Sequence, residues 1–145
     1  LATYAVGTRT VAATATLPCM SLYAIAAVSF DLLEVGITNT TVTANVVGLC
    51  RLTTAGTPGS GLTEAALDQG SVAASSTAFL AHTGTPPTLV DLGYRWSLGS
   101  AIGSGVIWTF GPGELHALIG TANGVGIWCP TGTGQALDVY MKWVE

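Results

Sequence analysis

Gly105-Val-Ile-Trp-Thr-Phe-Gly-Pro-Gly-Glu-Leu-His-Ala-Leu-Ile-Gly-Thr-Ala-Asn-Gly-Val-Gly-Ile-Trp-Cys-Pro-Thr-Gly-Thr-Gly134 decides the fold. Three runs of five or six residues, 106–110, 114–119 and 125–129, are rich in β-branched and aromatic side chains. Between them stand Gly111-Pro112-Gly113, Asn123-Gly124 and the Gly-rich stretch 130–134. Runs this short, bounded by turn residues, read as strands. Asn-Gly reads as a hairpin turn, because both residues tolerate a positive φ. Outward from this stretch the same texture continues at 136–144 and, towards the N-terminus, at 88–98, 41–53, 31–38 and 21–30. Residues 4–16 alternate small apolar residues with threonine, setting Val11, Ala13 and Ala15 against Thr10, Thr14 and Thr16, until Pro18 ends the run. Thr40 and Thr41 follow Asn39 as a connection, so the formal glycosylation sequon there reads as a turn. No long amphipathic helix and no fixed-period repeat is present. Short strands at roughly ten-residue spacing predict an all-β chain, a single-domain β-sandwich or jelly roll over residues 1–145 with long loops. Residues 1–16 are expected as an extended N-terminal arm. Residues 54–76, opened by Gly56-Thr57-Pro58-Gly59-Ser60-Gly61, are expected as a long loop with a helical turn or edge strand near 62–67.

Composition sharpens this. The 145 residues include 21 Thr, 20 Ala and 19 Gly, and only 8% are charged, against about 25% in an average globular chain. A monomer of this mass exposes roughly 6,900 Å², which spreads twelve charges very thinly. Mean hydropathy is +0.56, yet no apolar run approaches the ~20 residues of a spanning helix, so no membrane partner is expected. Such a surface invites burial against other subunits. Arg9, Arg51, Arg95 and Lys142 are too few for a basic patch and the net charge is −4, so nucleic acid is an unexpected partner. Residues 1–6 lack the basic and long apolar regions of a secretory leader. Leu1 is not an initiator Met, which implies processing or an upstream start.

Reactive groups are sparse. Cys19, Cys50 and Cys129 are an odd number without C-x-x-C spacing, and read as small buried thiols. His82, in a Thr/Gly/Pro stretch, and His116, in a strand-like run, are the only imidazoles. They lack the spacing of a zinc site, and nothing local marks a Ser–His or Cys–His nucleophile. The glycine clusters lack a following Gly-Lys-Ser/Thr and read as turns rather than phosphate loops. Asp31/Glu34 and Glu64/Asp68 are close carboxylate pairs without the aromatic flanks of a sugar subsite, and read as solvated or salt-bridged. Trp96, Trp108, Trp128 and Trp143 each fall in a separate strand-like run, and core packing is the leading reading for them. The sequence therefore predicts no catalytic, cofactor-binding or metal-binding residue, no cofactor and no enzyme.

Three segments carry a resemblance. Residues 51–64 (RLTTAGTPGSGLTE), 103–111 (GSGVIWTFG) and 120–134 (GTANGVGIWCPTGTG) resemble small structural proteins of tailed-bacteriophage virions, of the capsid-decoration type. The likeness covers roughly residues 30–145, and its segments are turns and strands without chemistry. It implies a jelly-roll-like, non-enzymatic viral protein on the capsid surface. It implies a homo-oligomer, expected as a trimer, with the major capsid protein as partner. Loop 54–76 and the arm 1–16 are the expected contacts, the arm by adding a strand to a neighbour's sheet. Two other readings stay open: another virion component (tube, fibre or receptor-binding knob), and a carbohydrate-binding β-sandwich using exposed tryptophans.

Overall fold

Period-two alternation gives each long strand one apolar face, and two such sheets bury their apolar faces against each other. A computed structural model describes residues 1–145. Its strands in chain order are β1 (Thr3–Arg9), β2 (Met20–Tyr23), β3 (Phe30–Asn39), β4 (Asn45–Leu52), β5 (Pro58–Gly61) and β6 (Ala65–Ala66). They continue as β7 (Thr77–His82), β8 (Leu89–Leu98), β9 (Gly105–Thr109), β10 (His116–Ala117), β11 (Gly124–Trp128) and β12 (Leu137–Val144). There is no helix. One sheet, sheet A, runs β10-β3-β12-β1-β6, with β9 on β3, and the other, sheet B, runs β5-β7-β2-β11-β4-β8. Every pairing is antiparallel.

The eight principal strands nest as a folded-over hairpin. First pairs with last (β1 with β12), second with seventh (β2 with β11), third with sixth (β3 with β9) and fourth with fifth (β4 with β8). Contacts of β12 with β3 and of β11 with β4 close the roll. That is the two-Greek-key jelly roll, so the all-β sandwich expectation holds.

The core between the sheets takes alternate residues: Tyr4 and Val6, Leu32, Val35 and Ile37, Val47 and Leu49, Val125 and Ile127, Met141 and Trp143. Tyr4 stacks on Trp143, centroids 5.9 Å apart. Sheet B carries a second, smaller cluster on its outer face, where Tyr23, Cys50 and Leu52 meet Phe79, Leu89, Trp128 and Ala55. The segment around Gly56 lies on Thr85, Pro86 and Pro87 there, so sheet B covers itself. All three cysteines are free and buried.

Several expectations need correction. Residues 1–16 are not a free arm. β1 lies between β12 and β6, paired with β12 over seven positions, because Tyr4 and Val6 belong to the core. Beyond it, Thr10 and Ala13 are buried too. Loop 54–76 is partly sheet: β5 pairs with β7 and β6 with β1, so of the two forms expected near 62–67 the edge strand is found. Strand β7 was not expected at all, and it places His82 at a strand end rather than in a loop. The run 114–119 shrinks to the two residues of β10, and Leu118 and Ile119 are exposed. Asn123-Gly124 joins β10 in sheet A to β11 in sheet B rather than closing a hairpin. The left-handed residue in that connection is Gly120, at φ 121°.

Candidate interaction surface

The reactive side chains come first, because their placement decides what kind of site to look for. Ser21 and His82, far apart in sequence, are brought together with Oγ 2.9 Å from Nε2. Both are buried, beneath the Tyr23 ring and the segment around Ala55. The Nδ1 atom has no hydrogen-bonding partner at normal geometry. Burial pushes the His82 pKa below its ordinary value, and the Ala55 carbonyl offsets part of this. The pair thus has neither access from solvent nor a carboxylate to orient the ring. Burial likewise pushes the Cys19 thiol up to about 12 and Cys50 higher still, which makes both poor nucleophiles. His116 lies 2.6 Å from Asp31 and ties β10 to β3. No three His, Cys, Asp or Glu side chains gather as a metal cluster. Asn39 of the sequon is buried. Its amide donates to the carbonyls of Thr43 and Gly99 and accepts from Thr41, so it pins two turns together.

The twelve charged side chains are all engaged within the chain. Arg9 pairs with Asp138, Arg95 with Asp91 and Lys142 with Glu34. Asp31 meets His116, whose carbonyl accepts from Arg51. Glu64, Asp68, Glu114 and Glu145 accept from the backbone N–H groups of Ala78, Gly70, Gly111 and of Ser75 and Ser76. Exposed pairs of this kind add little stability. Their consequence lies at the surface: 6437 Å² of accessible area carries no charged side chain without an internal partner.

Against that background the outer face of sheet A stands out. Pairing register lays its outward residues in rows. The central row is Gly7, Tyr140, Gly36 and Ile107, across β1, β12, β3 and β9. One neighbouring row is Ala5, Lys142, Glu34 and Thr109, and the other is Arg9, Asp138, Thr38 and Gly105. The Tyr140 ring lies flat over Gly36, where a Cβ would stand 2.0 Å from Cε1. Its hydroxyl donates to Glu34 at 2.7 Å. Burial, that bond and the carboxylate's charge push the phenol up to about 12. Beside the ring is a shallow depression of about 430 Å³, lined by Gly36, Gly105, Ile107 and Tyr140. Ile107 is 62% exposed. A β-bulge between Lys142 and Trp143 leaves Leu33 unpaired on β3, and Leu33, Leu1, Leu67 and Lys142 line a second depression of about 510 Å³. No segment of the chain covers this face as 53–57 and 83–88 cover sheet B.

The sequence reading assigned the glycine clusters to turns and found no role for the glycines inside strands. Gly7 and Gly36 are such residues, Gly105, expected in a turn over 99–105, opens β9 instead, and their common face follows only from the register. The tryptophans divide. Trp143 is core, and Trp108 packs on the core and on Tyr94. Trp128 covers Gly48 on sheet B, and Trp96 on β8 is half exposed. No protein-family model matches this chain, and neither the curated proteins nor the solved structures contain a significant match to it.

Proposed function

We propose that this protein is a non-enzymatic structural subunit that works as a symmetric homo-oligomer, and that its setting is the surface of a bacteriophage capsid, where it decorates and stabilises the shell. One observation carries the oligomer: every charged side chain is engaged internally, and an uncovered sheet face on which Gly7, Ala5, Gly105, Ile107 and a flat Tyr140 stand among two such ion pairs points outward. A sheet face built this way lets another backbone approach closely, and burying it removes apolar area from water at ~25 cal/mol/Å². Multiplied over a lattice, a modest gain per copy stiffens the whole shell. The capsid setting and the major capsid protein as partner rest on the resemblance of residues 51–64, 103–111 and 120–134.

Two measurements test this. Native mass at tens of micromolar should show a discrete oligomer, the trimer implied by the resemblance being one such species. Electron microscopy of the particle should place the protein at regular lattice positions. Single copies at high concentration that never dock on a shell would overturn the proposal, whereas density on a projecting fibre or tube would move it to another virion component. A second reading has one observation in its favour: Tyr94 and Trp96 are both over 40% exposed on edge strand β8. A carbohydrate-binding module would show Trp fluorescence quenching by glycans that a Trp96→Ala variant abolishes.

A further inference from the structure

The rows on the outer face of sheet A are antisymmetric about the line between β12 and β3. In the central row Gly7 stands at one end and Ile107 at the other, with the Tyr140 ring filling the place over Gly36 between them, and the order reversed sets Ile107 on Gly7. In the next row Lys142 stands on one side of the line and Glu34 on the other. A two-fold axis lying parallel to the strands along this line maps each row onto its own reverse. Ile107 of one copy then falls on Gly7 of the other, and Lys142 on Glu34. Thr109 falls on Ala5, and Arg9 falls over Gly105 at the depression beside Ile107. The two Tyr140 rings, each flat on its own Gly36 and so lying over the axis, meet face to face across it.

We infer that sheet A is an isologous interface, on which two copies of this chain stack face to face. The inference rests on the oligomer proposed above and commits it to a two-fold pair. Both kinds of complementarity, size and charge, arise from one operation, as a self-matching surface requires. The axis overlays β1 and β12 on β9 and β3 and leaves β6 without a counterpart, so four strands about 4.8 Å apart and a span of some seven residues at ~3.4 Å each give roughly 460 Å² of face per copy, hence about 910 Å² in the pair, the size of a weak contact that forms at high concentration. Because the Tyr140 rings lie flat at the centre, the sheets can close to the ~10 Å of ordinary face-to-face packing.

The test is charge exchange across the axis, read by sedimentation and native mass. Lys142→Glu sets two carboxylates against each other at two symmetry-related places, so it should weaken the dimer at least ~tenfold. Glu34→Lys should do the same. The double variant restores opposite charges both within and between copies, and should recover the wild-type dimer to within about threefold. Circular dichroism and Tm of each variant establish that the fold is intact. A dimer indifferent to Lys142→Glu overturns the assigned face. A trimer overturns the two-fold pairing yet leaves the oligomeric function standing. Single copies at high concentration overturn both.

Discussion

Gly36→Ala isolates the contact that levels the centre of sheet A. A Cβ at Gly36 would stand 2.0, 2.5 and 2.8 Å from three atoms of the Tyr140 ring, so the ring must lift away. Lifting breaks the hydroxyl's bond to Glu34. A hydrogen bond to a charged group contributes about 1.5–3 kcal/mol, and partial exposure puts this one near the lower end. Lost ring packing on the sheet adds about 1 kcal/mol. Against this, alanine in a strand gains about 0.5–1 kcal/mol over glycine. The net destabilisation is then about 1.5 kcal/mol, a fall of roughly 5 °C in Tm for a chain of this length. In a Tyr140→Ala background the collision is gone, and the same Gly36→Ala change should stabilise by about 0.5 kcal/mol. The double-mutant cycle therefore has a coupling of about 2 kcal/mol, measured by urea unfolding at one protein concentration. Equal cost of Gly36→Ala in both backgrounds would show that something other than the tyrosine crowds Gly36.

Three further outcomes are expected. Burial raises the Glu145 carboxyl, but bonds from Ser76, Ser75 and Trp143 outweigh it and hold the pKa below its ordinary value. The stability this gives is complete above about pH 4.5 and is lost as pH falls through the lower folded value, so Glu145→Gln should cost about 1–2 kcal/mol at pH 7 and flatten the acid limb of Tm against pH. His82 is disfavoured as a cation in the fold; the unfolded chain binds the extra proton from about pH 6.5 downward, so Tm should fall between pH 7.5 and 5, and His82→Gln should remove that component. Deleting residues 1–9 removes β1 and strips Trp143 and Met141 of Tyr4 and Val6, so the product should be unfolded by circular dichroism rather than a folded domain with weaker assembly.

Strand positions were readable from the sequence where alternation was strong. Val35 and Ile37 marked β3, although the bulge puts Leu32 in the core and turns Leu33, expected on the same face as Val35 and Ile37, away from it, and the aromatic runs marked β8, β9, β11 and β12. What failed was assignment by texture alone. The run 77–82 has only Phe79 and Leu80 as large residues, yet pairing with β2 makes it a strand. Residues 3–9 looked like an arm because Ala5 and Gly7 are small, but smallness there belongs to the outer face while Tyr4 and Val6 fill the core. The interaction surface was invisible because it is a property of register. Gly7, Gly36 and Ile107 lie about 30 and 70 residues apart, and only the ladder puts them in one row. Likewise no local signal joins Ser21 to His82. The surplus of surface over charge was legible from composition, and the structure adds that each of the few charges has its partner inside the chain.

The pairing of first strand with last has a consequence for biosynthesis. β12, the last of the twelve strands to be synthesised, fills the slot between β1 and β3 in sheet A. Until it arrives, β1 and β3 have no common neighbour, and the apolar undersides of both lie open to other nascent chains. Closure of this domain therefore waits for its last strand and is governed by long-range pairing that runs on millisecond-to-second timescales.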